Sequence, residues 1–209
     1  MIQTRMDYCL TENIYVLLTD TGTLFTRLIK GFTGAPYNHA SIVLDENMEE
    51  VFSFGRKRAN NPLIAGFVKE DVYDGTFRQF PDTRCVLLRI AVTAEQRANL
   101  IRFIREFEKN EQLYSYNLIG LFGVLLELDL RPAHSYFCSQ FVAETMRKSG
   151  IPLWDRPSTL VTPDHFLNHP QFHVVYEGPL YNYPLLNRQK LFHHSFAKTT
   201  VSQLRKRAI

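Results

Sequence analysis

The run Cys85-Val86-Leu87-Leu88-Arg89-Ile90-Ala91-Val92 carries the strongest strand signal in the chain, and it meets a helix start with no spacer between them. Thr93-Ala94-Glu95-Gln96 has the Thr-x-x-Gln form of a capping box, in which each side chain satisfies a backbone N–H that the first helical turn leaves open. Leu100, Ile101, Phe103, Ile104 and Phe107 then recur on one side of the helix that follows. A strand passing directly into an amphipathic helix calls for helices packed on a sheet.

The rest of the chain extends that reading. Ile14 to Thr19 is β-branched and apolar, and Asp20-Thr21-Gly22-Thr23 opens a helix expected over Leu24 to Phe32. His39 to Leu44 and Val51 to Phe54 flank the polar stretch Asp45 to Glu50, which predicts an antiparallel hairpin. From Arg56 to Asp74, Pro, Gly, Asn and charged residues interrupt short apolar pieces, as in a long excursion over a surface or a site. Apolar helices are expected near Asn117 to Leu128 and from about Phe137 to Lys148, with a short helical turn at Thr162 to Leu167 and a strand from Phe172 to Tyr176. The whole reads as an α+β domain, a mainly antiparallel sheet packed on helices, formed by residues 1–209 with a core of about 14–176 and a C-terminal extension over 177–209.

Charge and composition remove several classes of function. Net charge is +3, with both signs interspersed, so no nucleic-acid footprint stands out; the basic end Arg205-Lys206-Arg207 reads as a solvated tail. Leu118 to Leu128 is broken by Gly120, Gly123 and Glu127 and is about half of the roughly 20 residues a membrane span needs. The N-terminus lacks a basic start followed by an apolar segment, so a cytoplasmic location is expected. Cys9, Cys85 and Cys138 are scattered and odd in number, which supports neither a disulfide framework nor a paired zinc site, and no metal or organic cofactor is expected.

Each thiol is therefore judged by its surroundings. Cys138, in Tyr136-Phe137-Cys138-Ser139-Gln140, falls where a helical apolar period begins, and the open N–H groups of a helix start favour a thiolate there. The same N–H groups can hold the oxyanion of a tetrahedral intermediate. A free cysteine elsewhere is more often a small buried hydrophobe. His39 stands where a loop becomes a strand and can face a cleft as general base, although a histidine in such a place can also serve a turn.

The order Asn38-His39-Ala40-Ser41-Ile42 opening a hairpin whose second strand is Val51 to Phe54, then Tyr136-Phe137-Cys138-Ser139 opening a helix, resembles the circularly permuted NlpC/P60 superfamily. Its members are papain-like thiol hydrolases and acyltransferases in which the histidine precedes the cysteine. The resemblance covers about Ile14 to Tyr176. It implies a catalytic Cys138 and His39, with a third polar residue on the strand after the hairpin turn, where Ser53 stands. Serine accepts a hydrogen bond but brings no charge to stabilise an imidazolium. Glu50, three residues earlier, points to the opposite face by strand alternation. Ser139, Tyr37 and Tyr15 are candidates for the oxyanion hole or for substrate binding, with ordinary packing the commoner role for such tyrosines.

These residues predict a thiol hydrolase that cleaves an amide, peptide or related acyl bond through an acyl-enzyme, with a small peptide or acyl compound as its partner. An acyltransferase using a lipid or amine acceptor is the nearest alternative. A catalytically silent peptide- or lipid-binding module is the other, motivated by the uncharged Ser53. Arg56-Lys57-Arg58, beside the second hairpin strand, has the chemistry to recognise a carboxylate or phosphate, though a solvated loop is the plainer role.

Overall fold

A computed structural model describes residues 11–22, 35–58, 61–116, 129 and 133–192. In chain order the strands are β1 (Thr11–Asp20), β2 (His39–Val43), β3 (Val51–Arg58), β4 (Asn61–Glu70), β5 (Arg84–Thr93), β6 (Ser115–Tyr116), β7 (Ser135–Tyr136) and β8 (His173–Pro179). The helices are α1 (Ala94–Lys109), α2 (Cys138–Lys148) and the short α3 (Pro163–Leu167). Six strands form one sheet in the order β4-β3-β2-β1-β5-β8, every neighbouring pair antiparallel, and β6 and β7 make a small parallel pair beside it. The class is α+β with a mostly antiparallel sheet. Among the described residues no helix is long and apolar enough to cross a membrane.

Strand alternation splits the buried residues between the two faces of the sheet. Ile14, Val16 and Leu18 of β1 join one core with Leu100 and Ile104 of α1 and Phe141, Val142 and Met146 of α2. Tyr15 and Leu17 join a second core with Val51, Cys85, Leu87, Tyr183 and Leu186. With both faces covered, β1 reads as an unbroken apolar run rather than an alternating one. The junction between β5 and α1 takes the expected form: Gln96 N–H donates to Thr93 Oγ1 at 3.1 Å, and Thr93 N–H donates to Gln96 Oε1 at 2.9 Å.

Two expectations change. The excursion over Arg56 to Asp74 is in large part strand: β3 continues to Arg58 and pairs with β4 from Val51–Glu70 to Arg58–Asn61, with a register shift between Arg56 and Arg58. Pro62 and Gly66 look like breakers in the sequence, but β4 is the edge of the sheet, where a missing N–H and a missing side chain are tolerated. The core also runs past Tyr176. Leu180, Tyr183, Leu186 and Leu191 are buried against the second face, so this part of the C-terminal segment is structural. The helices expected over Leu24 to Phe32 and Asn117 to Leu128, together with Cys9 and the basic end at Arg205 to Arg207, lie outside the described residues.

Phe54 ties the first core together. Its ring meets those of Phe67 on β4, Phe107 on α1, Tyr136 on β7 and Phe141 on α2, with centroids 5.1 to 5.9 Å apart. Phe54→Ala is expected to destabilise the fold by about 3–5 kcal/mol, the usual cost of deleting a fully buried aromatic ring. Urea unfolding measures this, and a loss under about 1 kcal/mol would show that the cluster closes over the gap.

Candidate active site

Cys138 is the first residue of α2, and only 3% of it is exposed. The preceding residue holds the helix start in place: Phe137 N–H donates to Gln140 Oε1 at 3.4 Å and Phe137 O accepts from Phe141 N–H at 3.0 Å. The Ser139 hydroxyl donates to Val161 O at 2.7 Å and is fully engaged in pinning α2 to the loop before α3. Its backbone N–H and that of Ala40 on β2 lie close enough to the Cys138 sulfur to favour its charged form. The sulfur lies 4.0 Å from the carbonyl oxygen of Asn38, so the helix start rests against the entry to β2.

His39 opens β2, and its ring interacts electrostatically with the Cys138 sulfur. Its Nε2 lies 2.8 Å from Glu70 Oε1. The second oxygen of Glu70 accepts from the Ser41 hydroxyl at 2.5 Å. The carboxylate is thus fixed at both ends, and it is the charged partner that the sequence did not reveal. The ladder between β2 and β3 contains only Ile42–Phe52 and Val43–Val51, so near His39 the two strands are no longer paired. The imidazole occupies the space over β3 instead. A Cβ added to Gly55 would lie 3.3 Å from both His39 Cε1 and Ser53 Oγ and 3.6 Å from Glu70 Oε1, so the absent side chain of Gly55 is what lets the ring lie there.

Ser53 is fully buried beside this group, where it favours the charge on Glu70 without making a hydrogen bond of regular geometry. The side chain that meets the His39 ring is Glu70, two residues beyond the Val68 that Ser53 faces across the β3–β4 ladder. Glu70 was missed because its strand was read as an excursion. The available signal was the alternation Phe67-Val68-Lys69-Glu70 after Gly66, which is short.

The charges of Cys138, His39 and Glu70 reinforce one another. Burial alone would disfavour the imidazolium, but the Glu70 carboxylate and the Cys138 sulfur outweigh it and raise the His39 pKa to about 10. Burial also works against a thiolate at Cys138, yet His39, with the two backbone N–H groups, holds its pKa below the ordinary thiol value. Glu70 is held below the usual carboxylate range against its own burial, chiefly by His39. Both shifts run in the direction that favours a thiolate–imidazolium pair. Cys85 shows the opposite case: fully buried beneath the second core and with no such partner, its thiol is pushed up to about 12.

Tyr116 on β6 lies within electrostatic reach of Cys138 and of Arg56, and burial raises its phenol pKa well above the ordinary value. Sequence reading did not single it out. The tyrosines it did single out are engaged elsewhere. Tyr15 belongs to the second core, across the sheet from α2, and donates to Glu46 at 2.5 Å; Tyr37 donates to Glu177 on β8 at 2.8 Å. Neither reaches the thiol through its hydroxyl. His165 caps α3, accepting from Thr162 N–H at 2.9 Å, and His134 sits in a turn at a φ of 56°. Among the described residues no group of three or more His, Cys, Asp or Glu side chains converges as a metal site would.

No family model and no curated protein matches the chain.

Proposed function

We propose that the chain is a thiol hydrolase of permuted papain-like, NlpC/P60-type fold, which cleaves an amide, peptide or related acyl bond with Cys138, His39 and Glu70. The observation that carries this reading is the largely buried group in which the His39 ring, 2.8 Å from the Glu70 carboxylate, also interacts with the Cys138 sulfur. A structural cysteine has no need of a charged relay behind it. Side-chain exposure of 20% at His39 leaves an edge of the ring open to a substrate.

The thiolate attacks the carbonyl carbon, a C–S bond forms and the carbonyl electron pair moves to oxygen, for which backbone N–H groups at the start of α2 and the Tyr116 phenol are the candidate donors. His39 gives its proton to the leaving amine or alkoxide as the tetrahedral intermediate collapses to a thioester. The neutral imidazole then takes a proton from water, which attacks the thioester and releases the acid, and the thiolate and imidazolium are restored. Glu70 holds the ring in the tautomer and orientation this needs and stabilises its charge. The silent-module alternative was motivated by an uncharged third residue, and a carboxylate at the His39 ring supports the catalytic reading over it.

The test is alkylation of Cys138 by iodoacetamide, followed by peptide mass spectrometry. Cys138 is expected to react at pH 6 at least about tenfold faster than glutathione, because a thiol of ordinary pKa near 8.5 is almost wholly protonated there. The same treatment is expected to abolish cleavage across a panel of amide and ester substrates. A Cys138 no more reactive than glutathione would remove the basis of the proposal.

A further inference from the structure

The Glu70 carboxylate reaches across a strand to do its work. Glu70 stands on β4 and pairs with Val51, while the two side chains its oxygens meet, His39 and Ser41, both stand on β2, with β3 between. The crossing uses the room over Gly55, where an added Cβ would lie 3.6 Å from Glu70 Oε1. His39 and Ser41 are two positions apart on one strand, so their side chains leave the same face with a spacing of about 7 Å along it. One carboxylate spans them: Oε1 lies 2.8 Å from His39 Nε2, and Oε2 accepts from the Ser41 hydroxyl at 2.5 Å.

A serine hydroxyl that satisfies itself locally bonds a backbone group within a few residues. The hydroxyl of Ser41, a fully buried residue, goes instead to a side chain 29 residues away. Ser53 is equally buried but makes no hydrogen bond of regular geometry, so of the two hydroxyls beside the carboxylate it is Ser41 that fixes it. The last torsion of a glutamate side chain is broad, and a hydrogen bond at one oxygen alone leaves the carboxyl group free to turn about it. The bond at Oε2 removes that freedom. A hydroxyl donor also favours the ionised carboxylate, and Ser41 is among the partners that hold Glu70 below the usual carboxylate range against its burial.

We propose that Ser41 is a positioning residue of the site: its hydroxyl sets the Glu70 carboxylate against the His39 ring, and through that ring it supports Cys138. The proposal rests on the reading of Cys138 as nucleophile and adds a residue whose effect passes through Glu70.

The test is the rate of Cys138 alkylation by iodoacetamide from pH 4 to 9, followed by peptide mass spectrometry, in the wild type, Ser41→Ala, Glu70→Gln and the double variant. Ser41→Ala is expected to slow the reaction at pH 6 by about tenfold, less than removal of the Glu70 charge would, because the carboxylate remains. Its acid limb is expected to move to higher pH. Without this donor Glu70 takes up a proton more readily, and the imidazolium loses its support sooner as pH falls. In the Glu70→Gln background the same change is expected to alter the rate by less than about twofold. A serine that matters only for packing would slow both backgrounds alike, and that result overturns the proposal. So does a Ser41→Ala rate within about twofold of the wild type, or an acid limb that stays where it was. Far-UV circular dichroism checks each fold. If Ser41→Ala does not fold, Ser41→Cys, close in shape but with only a weak S–H donor, is held to the same outcomes. A wild-type Cys138 that reacts no faster than glutathione overturns the nucleophile reading itself, and the proposal with it.

Discussion

Glu70→Gln is expected to slow alkylation of Cys138 at pH 6 by about 100-fold, the equivalent of about two pKa units in the thiol. Gln keeps the size of the side chain and an oxygen to accept from the His39 ring, but the charge is gone. The imidazolium then loses its main support, its pKa falls, and the thiolate that depends on it becomes harder to form. The direction is fixed by the signs of the shifts. In the wild type the thiolate persists as pH falls below the ordinary thiol range and is lost only through the lowered pKa of Cys138. In the variant that acid limb moves to higher pH. Cleavage also needs the imidazolium, so its alkaline limb moves down from the neighbourhood of about 10. Rates measured from pH 4 to 11 read both limbs, with far-UV circular dichroism as the check on folding. An acid limb left where it was would show that Glu70 only supports β4 and takes no part in the triad.

His39→Ala is expected to act more strongly. It removes the ring and its positive charge while the burial of Cys138 stays, so the thiol pKa rises above its ordinary value instead of falling below it. Alkylation at pH 6 is expected to drop by about 1,000-fold and cleavage to reach background. The single variant also strands the Glu70 carboxylate in a place only 13% exposed, which is destabilising in its own right. The double variant His39→Ala with Glu70→Gln removes that burden and separates loss of chemistry from loss of fold. The space over Ser53 and Gly55 that the ring vacates should admit free imidazole, so partial rescue at millimolar imidazole is the expected signature of a missing base. Fast alkylation in the folded double variant would mean that the helix start alone activates the sulfur.

Much of the fold was legible because its signals are local. The capping box at Thr93 and Gln96, the run over 85–92 and the hairpin around Asp45 to Glu50 are each set by residues that are neighbours in the chain, and each stands where the pattern puts it. The strand at β4 was not legible. Pro62 and Gly66 are read in isolation as breakers, and only its position at the sheet edge makes them acceptable. The loss of that strand hid Glu70 and shifted attention to Ser53, whose place on β3 was right but whose hydroxyl has no regular hydrogen bond. Tyr15 and Tyr37 were reasonable by type, and the partners that claim them, Glu46 and Glu177, lie 31 and 140 residues away.

The sequence by itself determined that Cys138 begins a helix and that His39 begins a strand, because caps and apolar periods depend on residues within a few positions of one another. It determined the α+β class for the same reason. Only the tertiary structure decided that Cys138 and His39 interact and that the Glu70 carboxylate lies 2.8 Å from the His39 ring. Those facts depend on the edge pairing of β4, on the early end of the β2–β3 ladder and on a glycine that leaves room for a ring. Each is a relation between segments far apart in the chain, and no local pattern encodes it.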